Sequence, residues 1–102
     1  MFEMIPPDRM NSVKTAFQTL FGSSTVQQTT LLTAGSQSVI VKLIIDDKPY
    51  ILRVMDLEDN LSNRQNQIQC LKTASELGLG PSCLYSNAHD GVLITEYIHH
   101  RD

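Results

Sequence analysis

Residues 31–54, LLTAGSQSVIVKLIIDDKPYILRV, decide the fold of this chain. Apolar and β-branched side chains alternate with their neighbours over residues 39–45 and again over residues 50–54, which is typical of strands in a sheet. Residues 46–49, Asp-Asp-Lys-Pro, lie between the two segments and favour a turn, because acidic side chains bond their own backbone and proline fixes φ. The sequence therefore predicts a β-hairpin.

A loop of small residues precedes this hairpin. Residues 33–38, TAGSQS, include one bulky side chain, that of Gln37, so the backbone can approach a ligand closely and present N–H groups to an anion. In the second strand of the hairpin, Arg53 points away from its neighbours Leu52 and Val54, and its forked donors suit phosphate oxygens. The pattern indicates a site for a phosphate-bearing ligand.

Helical and strand patterns flank the hairpin. Apolar residues at helical spacing predict a short amphipathic helix that begins after the N-cap Asp8 and ends at Gly22. Residues 26–33 predict a first strand. A capping box of Ser62 and Gln65 opens a longer helix that ends at Gly78. Its apolar face is expected in the core; the residues concerned are Ile68, Leu71 and Leu77. Residues 83–85 and 92–98 predict the last two strands.

This order predicts an α+β fold, in which a five-stranded antiparallel sheet carries the long helix on one face and a short N-terminal helix is added. We expect three parts: an N-terminal helical extension over residues 1–24, the sheet unit over residues 25–98, and the start of a linker over residues 99–102.

The composition limits the classes of function. The chain has 102 residues, 41% hydrophobic and 19% charged, as expected of one soluble globular unit. A net charge of −3 gives no basic field for nucleic acid. The longest apolar run is far short of the roughly 20 residues that span a bilayer. Without a signal-peptide pattern near the start, we expect a cytoplasmic protein with no membrane partner. The cysteines and histidines lack metal-site spacing, so no metal site is predicted.

Residues 31–98 resemble the amino-terminal lobe of the aminoglycoside phosphotransferase and choline kinase family, which has a protein-kinase-like fold. Four segments match in order. LTAGSQSVIV (32–41) is similar to the family's glycine-containing phosphate loop, with Ala34 in place of a first glycine and Ser38 in place of asparagine. YILRV (50–54) resembles the third strand, LGLGP (77–81) the segment after the long helix, and GVLITEYI (91–98) the fifth strand and hinge.

The resemblance implies a set of ATP-binding residues. Backbone N–H groups of the loop would hold the phosphates, and these belong to Gly35, Ser36, Gln37 and Ser38. Arg53 would bind the phosphates from the third strand, and Gln67 would be its partner on the helix, where the family has glutamate. Thr95 would lie beside adenine as the gatekeeper, and the Glu96 carbonyl and the Ile98 N–H would bond the adenine edge.

Each of these residues also has a plainer interpretation. Gly35 can be a simple turn residue, Arg53 a cross-strand surface charge, Gln67 a solvated helix residue and Glu96 an exposed strand carboxylate.

By the resemblance, the chain is the ATP-binding lobe of a small-molecule kinase that phosphorylates a hydroxyl of an aminoglycoside-, choline- or sugar-like acceptor. The family's catalytic residues and Mg²⁺ ligands lie in a second lobe after the hinge, so residues 1–102 are expected to be inactive alone. The alternative is a stand-alone, non-catalytic binding or assembly module, which Ala34 and Gln67 favour. Its exposed apolar surface would favour self-association.

Overall fold

The computed structural model describes residue 5 and residues 7–22, 25–34, 38–57 and 60–97. A 3₁₀ turn, Pro7–Arg9, leads into the first α-helix. The elements that follow, in chain order, are α1 (Met10–Phe21), β1 (Val26–Ala34), β2 (Ser38–Ile45), β3 (Lys48–Met55), α2 (Leu61–Glu76), β4 (Cys83–Asn87) and β5 (Val92–Glu96). The predicted α+β fold, with five antiparallel strands, a long helix and a short N-terminal helix, is confirmed.

The strands lie in the order β1-β2-β3-β5-β4, so β3 is central and β1 and β4 are the edges. The predicted hairpin is β2 and β3. Its turn is tighter than expected, because only Asp46 and Asp47 lie outside the strands, with φ of 52° and 64°. Two consecutive positive φ angles match the right-handed twist of the strands, and aspartate tolerates them well. Lys48 and Pro49, predicted as turn residues, are the first residues of β3.

Helix α1 covers one face of the sheet. Val13 and Ala16 of this helix are fully buried. They belong to a core with side chains from β2, β3 and β5, namely Val41, Leu43, Ile45, Leu52, Val54, Val92 and Ile94. The Phe21 ring packs edge-on against Tyr50, with 4.9 Å between centroids. The N-terminal helix thus shares the main hydrophobic core with the sheet, and the division at residue 24 stays a prediction.

Helix α2 packs on the opposite face. A second, smaller core forms there between Ile68 of α2, Met55 of β3 and Leu93 of β5. Side chains alternate between the faces along each strand, so one strand supplies both cores. Neither α-helix in the described part of the chain is long and apolar enough to cross a membrane.

Three details of the helices differ from the sequence predictions. Asn60, not Ser62, is the N-cap of α2, and its side chain accepts a hydrogen bond from the Ser62 N–H at 2.7 Å. Asp8 lies within the 3₁₀ turn, and Arg9 stands at the N-cap position of α1. Leu77 is the C-cap residue of α2 and is 67% exposed, because the helix ends before its apolar face would bring Leu77 onto the sheet.

Candidate functional site

A cleft of about 290 Å³ lies on the α2 face of the sheet. Its lining comes from three neighbouring strands, from α2, from the α2–β4 connection and from the chain around the end of β5. The residues are Ile40, Ile51, Arg53, Leu71, Pro81, Leu93, Thr95, Glu96 and Tyr97. The cleft is therefore mostly apolar, with a cation from β3 and polar groups near its β5 end.

The register of the sheet explains how these side chains meet. Arg53 of β3 pairs with Ile40 of β2 and with Leu93 of β5. Ile51, two residues before Arg53, pairs with Thr95. Residues two apart on a strand share a face of the sheet. The row of paired residues that contains Arg53 and the row that contains Ile51 therefore lie side by side and together form the floor of the cleft. As the alternation predicted, Arg53 points to the face opposite Leu52 and Val54, which lie in the α1 core.

Arg53 brings a polar group with unused bonding capacity into this cleft. The residue is half-buried, and its Nε atom is buried without a hydrogen-bond partner in the described part of the chain. A buried donor left unsatisfied costs about 1–3 kcal/mol. An anion that accepted a hydrogen bond from this side chain would remove that cost and gain a charge-assisted bond.

The β5 end of the cleft is lined by Thr95, Glu96 and Tyr97. Thr95 is buried and Glu96 is exposed. The backbone there is fixed by two hydrogen bonds: the Glu96 N–H donates to the Ser82 carbonyl at 3.0 Å, and the Tyr97 N–H donates to the Pro49 carbonyl at 3.3 Å. These bonds hold the main chain of this segment along the edge of the cleft.

The structure brings three of the predicted site residues together, namely Arg53, Thr95 and Glu96. Ser38 is the first residue of β2. Gln67 is exposed on α2, one turn before Leu71, and does not line the cleft. The other predicted residues, Gly35, Ser36, Gln37 and Ile98, lie outside the described residues. The nucleotide-binding roles of the whole set stay predictions.

Lys42 and Tyr97 are site features that the sequence analysis did not assign. The Lys42 Nζ atom lies 4.4 Å from the centroid of the Tyr97 ring, which is a cation–π contact. Strand alternation places Lys42 on the same face as Ile40. The contact with Tyr97 depends on the path of the chain after β5, for which the sequence pattern gives no signal.

Two buried arginines donate hydrogen bonds to backbone carbonyls near the end of β3 and in the β4–β5 turn. Arg9 donates through Nη1 to the Met55 carbonyl at 2.6 Å and through Nη2 to the Asp90 carbonyl. Arg64 of α2 donates through Nε to the Ala88 carbonyl at 2.8 Å and through Nη1 to the Leu57 carbonyl at 3.1 Å. Arg9 therefore ties the N-terminal segment to the end of β3 and to the β4–β5 turn, and Arg64 ties α2 to the residues just after β3 and to the same turn.

Burial lowers the pKa of Arg9, since removing the guanidinium from water penalises its charged form. Asp8 acts in the opposite direction, Arg64 adds to the lowering, and Asp90 and Asp56 oppose it. The N-terminal segment is thus held by a cation whose bonds go mainly to backbone carbonyls.

No cluster of three or more histidine, cysteine, aspartate or glutamate side chains that could hold a metal ion occurs among the described residues. The described residues therefore offer no such ligand set for Mg²⁺. Arg53 offers a buried hydrogen-bond donor, which suits an anion.

The sheet order, the helix on the cleft face and the cleft itself define a choline-kinase-like fold, as in the amino-terminal lobe of a kinase. The chain is similar to the crystal structure of choline kinase LicA from Streptococcus pneumoniae, with a TM-score of 0.62 and 19% sequence identity. The match covers 89% of this chain and 31% of that chain, so the present sequence spans about a third of its structural neighbour. No family model matches the sequence, and no curated protein matches it.

Proposed function

We propose that the chain is the nucleotide-binding amino-terminal lobe of a small-molecule kinase and that its cleft binds ATP. The observation that carries this proposal is the buried Nε atom of Arg53, which has no hydrogen-bond partner among the described residues and lies in a cleft that is otherwise mostly apolar. A ligand that suits both features has a flat apolar part and an anionic part. A nucleotide has both.

The base would lie against the apolar floor formed by Ile40, Ile51 and Leu93, next to Thr95. Its polar edge would meet the backbone of Glu96 and of Ile98. A volume of about 290 Å³ is near the lower end of ligand pockets, so the cleft holds a base and sugar while the phosphates extend past Arg53. The family resemblance, in which the phosphate loop supplies the N–H groups, would direct the phosphates to residues 35–38.

The remaining parts of the reaction are proposed to lie outside this chain. Mg²⁺ neutralises charge on the transferred phosphoryl group in kinases, and its ligands would come from a second lobe. The acceptor would be a hydroxyl of an aminoglycoside-, choline- or sugar-like molecule, which the choline-kinase-like fold supports. Residues 1–102 alone are expected to bind nucleotide in the cytoplasm without transferring phosphate.

NMR with isoleucine methyl labels tests the binding site directly. Ile40 and Ile51 face the cleft, whereas Ile45 and Ile94 face the α1 core and serve as matched controls. On titration with Mg-ATP we expect the Ile40 and Ile51 methyl signals to shift and the two control signals to stay. Shifts confined to the control residues, or no shifts at saturating nucleotide, would contradict the proposal.

A second candidate is a non-catalytic assembly module, and exposed leucines after α2 favour it. Leu77 is 67% and Leu79 is 79% exposed, and both lie just before Pro81 of the cleft. Apolar side chains exposed together promote association. This candidate predicts a concentration-dependent dimer in sedimentation velocity that is lost in Leu77→Ser/Leu79→Ser. A chain that sediments as a monomer at every concentration excludes it.

A further inference from the structure

Tyr97 lines the cleft, and its ring contacts a cation from β2. The Tyr97 N–H bonds the Pro49 carbonyl, which holds the main chain after β5. The ammonium of Lys42 lies 4.4 Å from the ring centroid, and this cation–π contact favours a ring direction that faces the cation.

This contact spans the central strand. Lys42 is in β2 and Tyr97 follows β5, while β3 lies between these strands. Lys42 pairs with Ile51 across β2 and β3, and Ile51 is part of the cleft floor. The Lys42–Tyr97 contact therefore lies next to the Ile51 row of the cleft floor.

Lys42 and Arg53 occupy different positions along the same face. Arg53 pairs with Ile40, two residues before Lys42, which separates the two rows by about 7 Å along the strand. If phosphates bind at Arg53, the Lys42–Tyr97 pair lies at the opposite, base-binding end. A cation already placed over an aromatic ring is also less available to a phosphate.

We infer that Lys42 is a positioning residue for the base: it holds the Tyr97 ring as the outer wall of the cleft and does not bind the phosphates. This inference rests on the proposed nucleotide site and adds a residue that acts through Tyr97. It predicts that the effect of Lys42 on binding is independent of the phosphates and dependent on an aromatic ring at position 97.

The test compares the affinities of adenosine and Mg-ATP for six variants, namely two single changes of Lys42, two single changes of Tyr97 and two double changes. Lys42→Met keeps most of the side-chain length and removes the cation. We expect it to lower the affinities of both ligands equally, by about two- to fivefold, because an accessible cation–π contact is worth a factor of that size. Lys42→Arg, which restores a cation over the ring, should bind within about twofold of the unmodified chain. In a Tyr97→Leu background Lys42→Met should have no further effect, whereas in Tyr97→Phe it should keep its effect.

Lys48→Met is the matched control, because Lys48 is exposed in the same hairpin. It should change neither affinity. A loss in Lys42→Met that is confined to Mg-ATP would overturn the inference, since it would make Lys42 a phosphate ligand. An undiminished effect of Lys42→Met in the Tyr97→Leu background would overturn it as well.

A spectroscopic measurement separates this inference from the proposed function. The ring current of Tyr97 should move the Lys42 ε-methylene signals upfield relative to those of Lys48, and Tyr97→Leu should abolish the difference. If the unmodified chain binds neither ligand, the nucleotide proposal and the role of Lys42 in binding both fail, even where the upfield shift confirms the contact. If the ligands bind but the shift is absent, only the Lys42 inference fails.

Discussion

Arg9 donates a hydrogen bond through Nη1 to the carbonyl oxygen of Met55, 46 residues further along the chain, at 2.6 Å. The same guanidinium reaches the carbonyl of Asp90 in the β4–β5 turn. Met55 is the last residue of β3, two residues after Arg53. The N-terminal segment is thereby joined to the strand that carries the cation of the cleft and to the turn that precedes β5.

Replacing Arg9 tests this connection. Arg9→Met keeps an unbranched apolar stem but leaves the buried carbonyl of Met55 and the part-buried carbonyl of Asp90 without the Arg9 donors. We expect the free energy of unfolding to fall by about 2–4 kcal/mol, because two hydrogen bonds to a charged group, each worth about 1.5–3 kcal/mol, are lost, while removal of a guanidinium whose burial is unfavourable offsets part of that loss. Urea denaturation measures the change. Lys14→Met, at an exposed position of α1, is the control and should leave the midpoint unchanged. Equal midpoints for both variants would show that the Arg9 bonds do not stabilise the fold.

Two glycines with positive φ allow a second prediction, in which the substitution of one glycine is the control for the substitution of the other. Gly91 (φ +66°) and Gly78 (φ +73°) carry similar backbone strain on substitution. A Cβ at Gly91 would lie 2.8 Å from Arg9 Nη2 and 3.2 Å from the Met55 carbonyl oxygen, whereas a Cβ at Gly78 meets nothing within 4 Å. Gly78→Ala should therefore cost about 1–2 kcal/mol for the left-handed backbone alone.

Gly91→Ala should cost more than Gly78→Ala by at least about 1 kcal/mol, because overpacking is added to the same strain. Thermal unfolding of the two variants side by side gives the comparison. If Gly91→Ala is as stable as Gly78→Ala, the contact between Arg9 and the β4–β5 turn is not as close as the structure has it.

Gln67 allows a test of the predicted partner of Arg53. Gln67 is exposed on α2, one turn before the cleft residue Leu71. Gln67→Glu would supply the carboxylate that the kinase resemblance leads us to expect at this position, and an ion pair would hold Arg53 in place for the phosphates. We expect a higher Mg-ATP affinity, measured by titration calorimetry.

Gln65→Glu adds the same charge at an exposed position on another side of α2 and is the control. It should leave the affinity unchanged. A lower affinity in Gln67→Glu than in Gln65→Glu would mean that Gln67 is not in register with Arg53.

The sequence predicted the fold well where a pattern repeats over several residues. Alternation in β2 and β3 predicted the hairpin and the direction of Arg53, and helical spacing predicted both helices. The ends of elements were less predictable. Asn60 and Ser62 are both good N-cap residues two positions apart, and the structure uses the first. Leu77 continues the apolar spacing of α2 but lies past the last turn.

Contacts between single residues far apart in the sequence could not be predicted. Arg9 and Arg64 donate to backbone carbonyls, which every residue has, so the partners leave no sequence signal. The contact of Lys42 with Tyr97 depends on the register of three strands. Of the residues that line the cleft, the sequence analysis had named Arg53, Thr95 and Glu96, whose roles stay predictions, while the apolar lining from Leu71 and Pro81 required the structure.

The measurement that tests the central claim most directly is the difference in affinity between Mg-ATP and adenosine, determined for the unmodified chain and for Arg53→Met. If Arg53 binds the phosphates, its replacement lowers the Mg-ATP affinity by about tenfold or more, as loss of a charge-assisted hydrogen bond implies, and leaves the adenosine affinity within about twofold. Lys48→Met, which removes an exposed charge from the same strand, should change neither. An Arg53→Met chain that binds Mg-ATP as tightly as the unmodified chain would contradict the account.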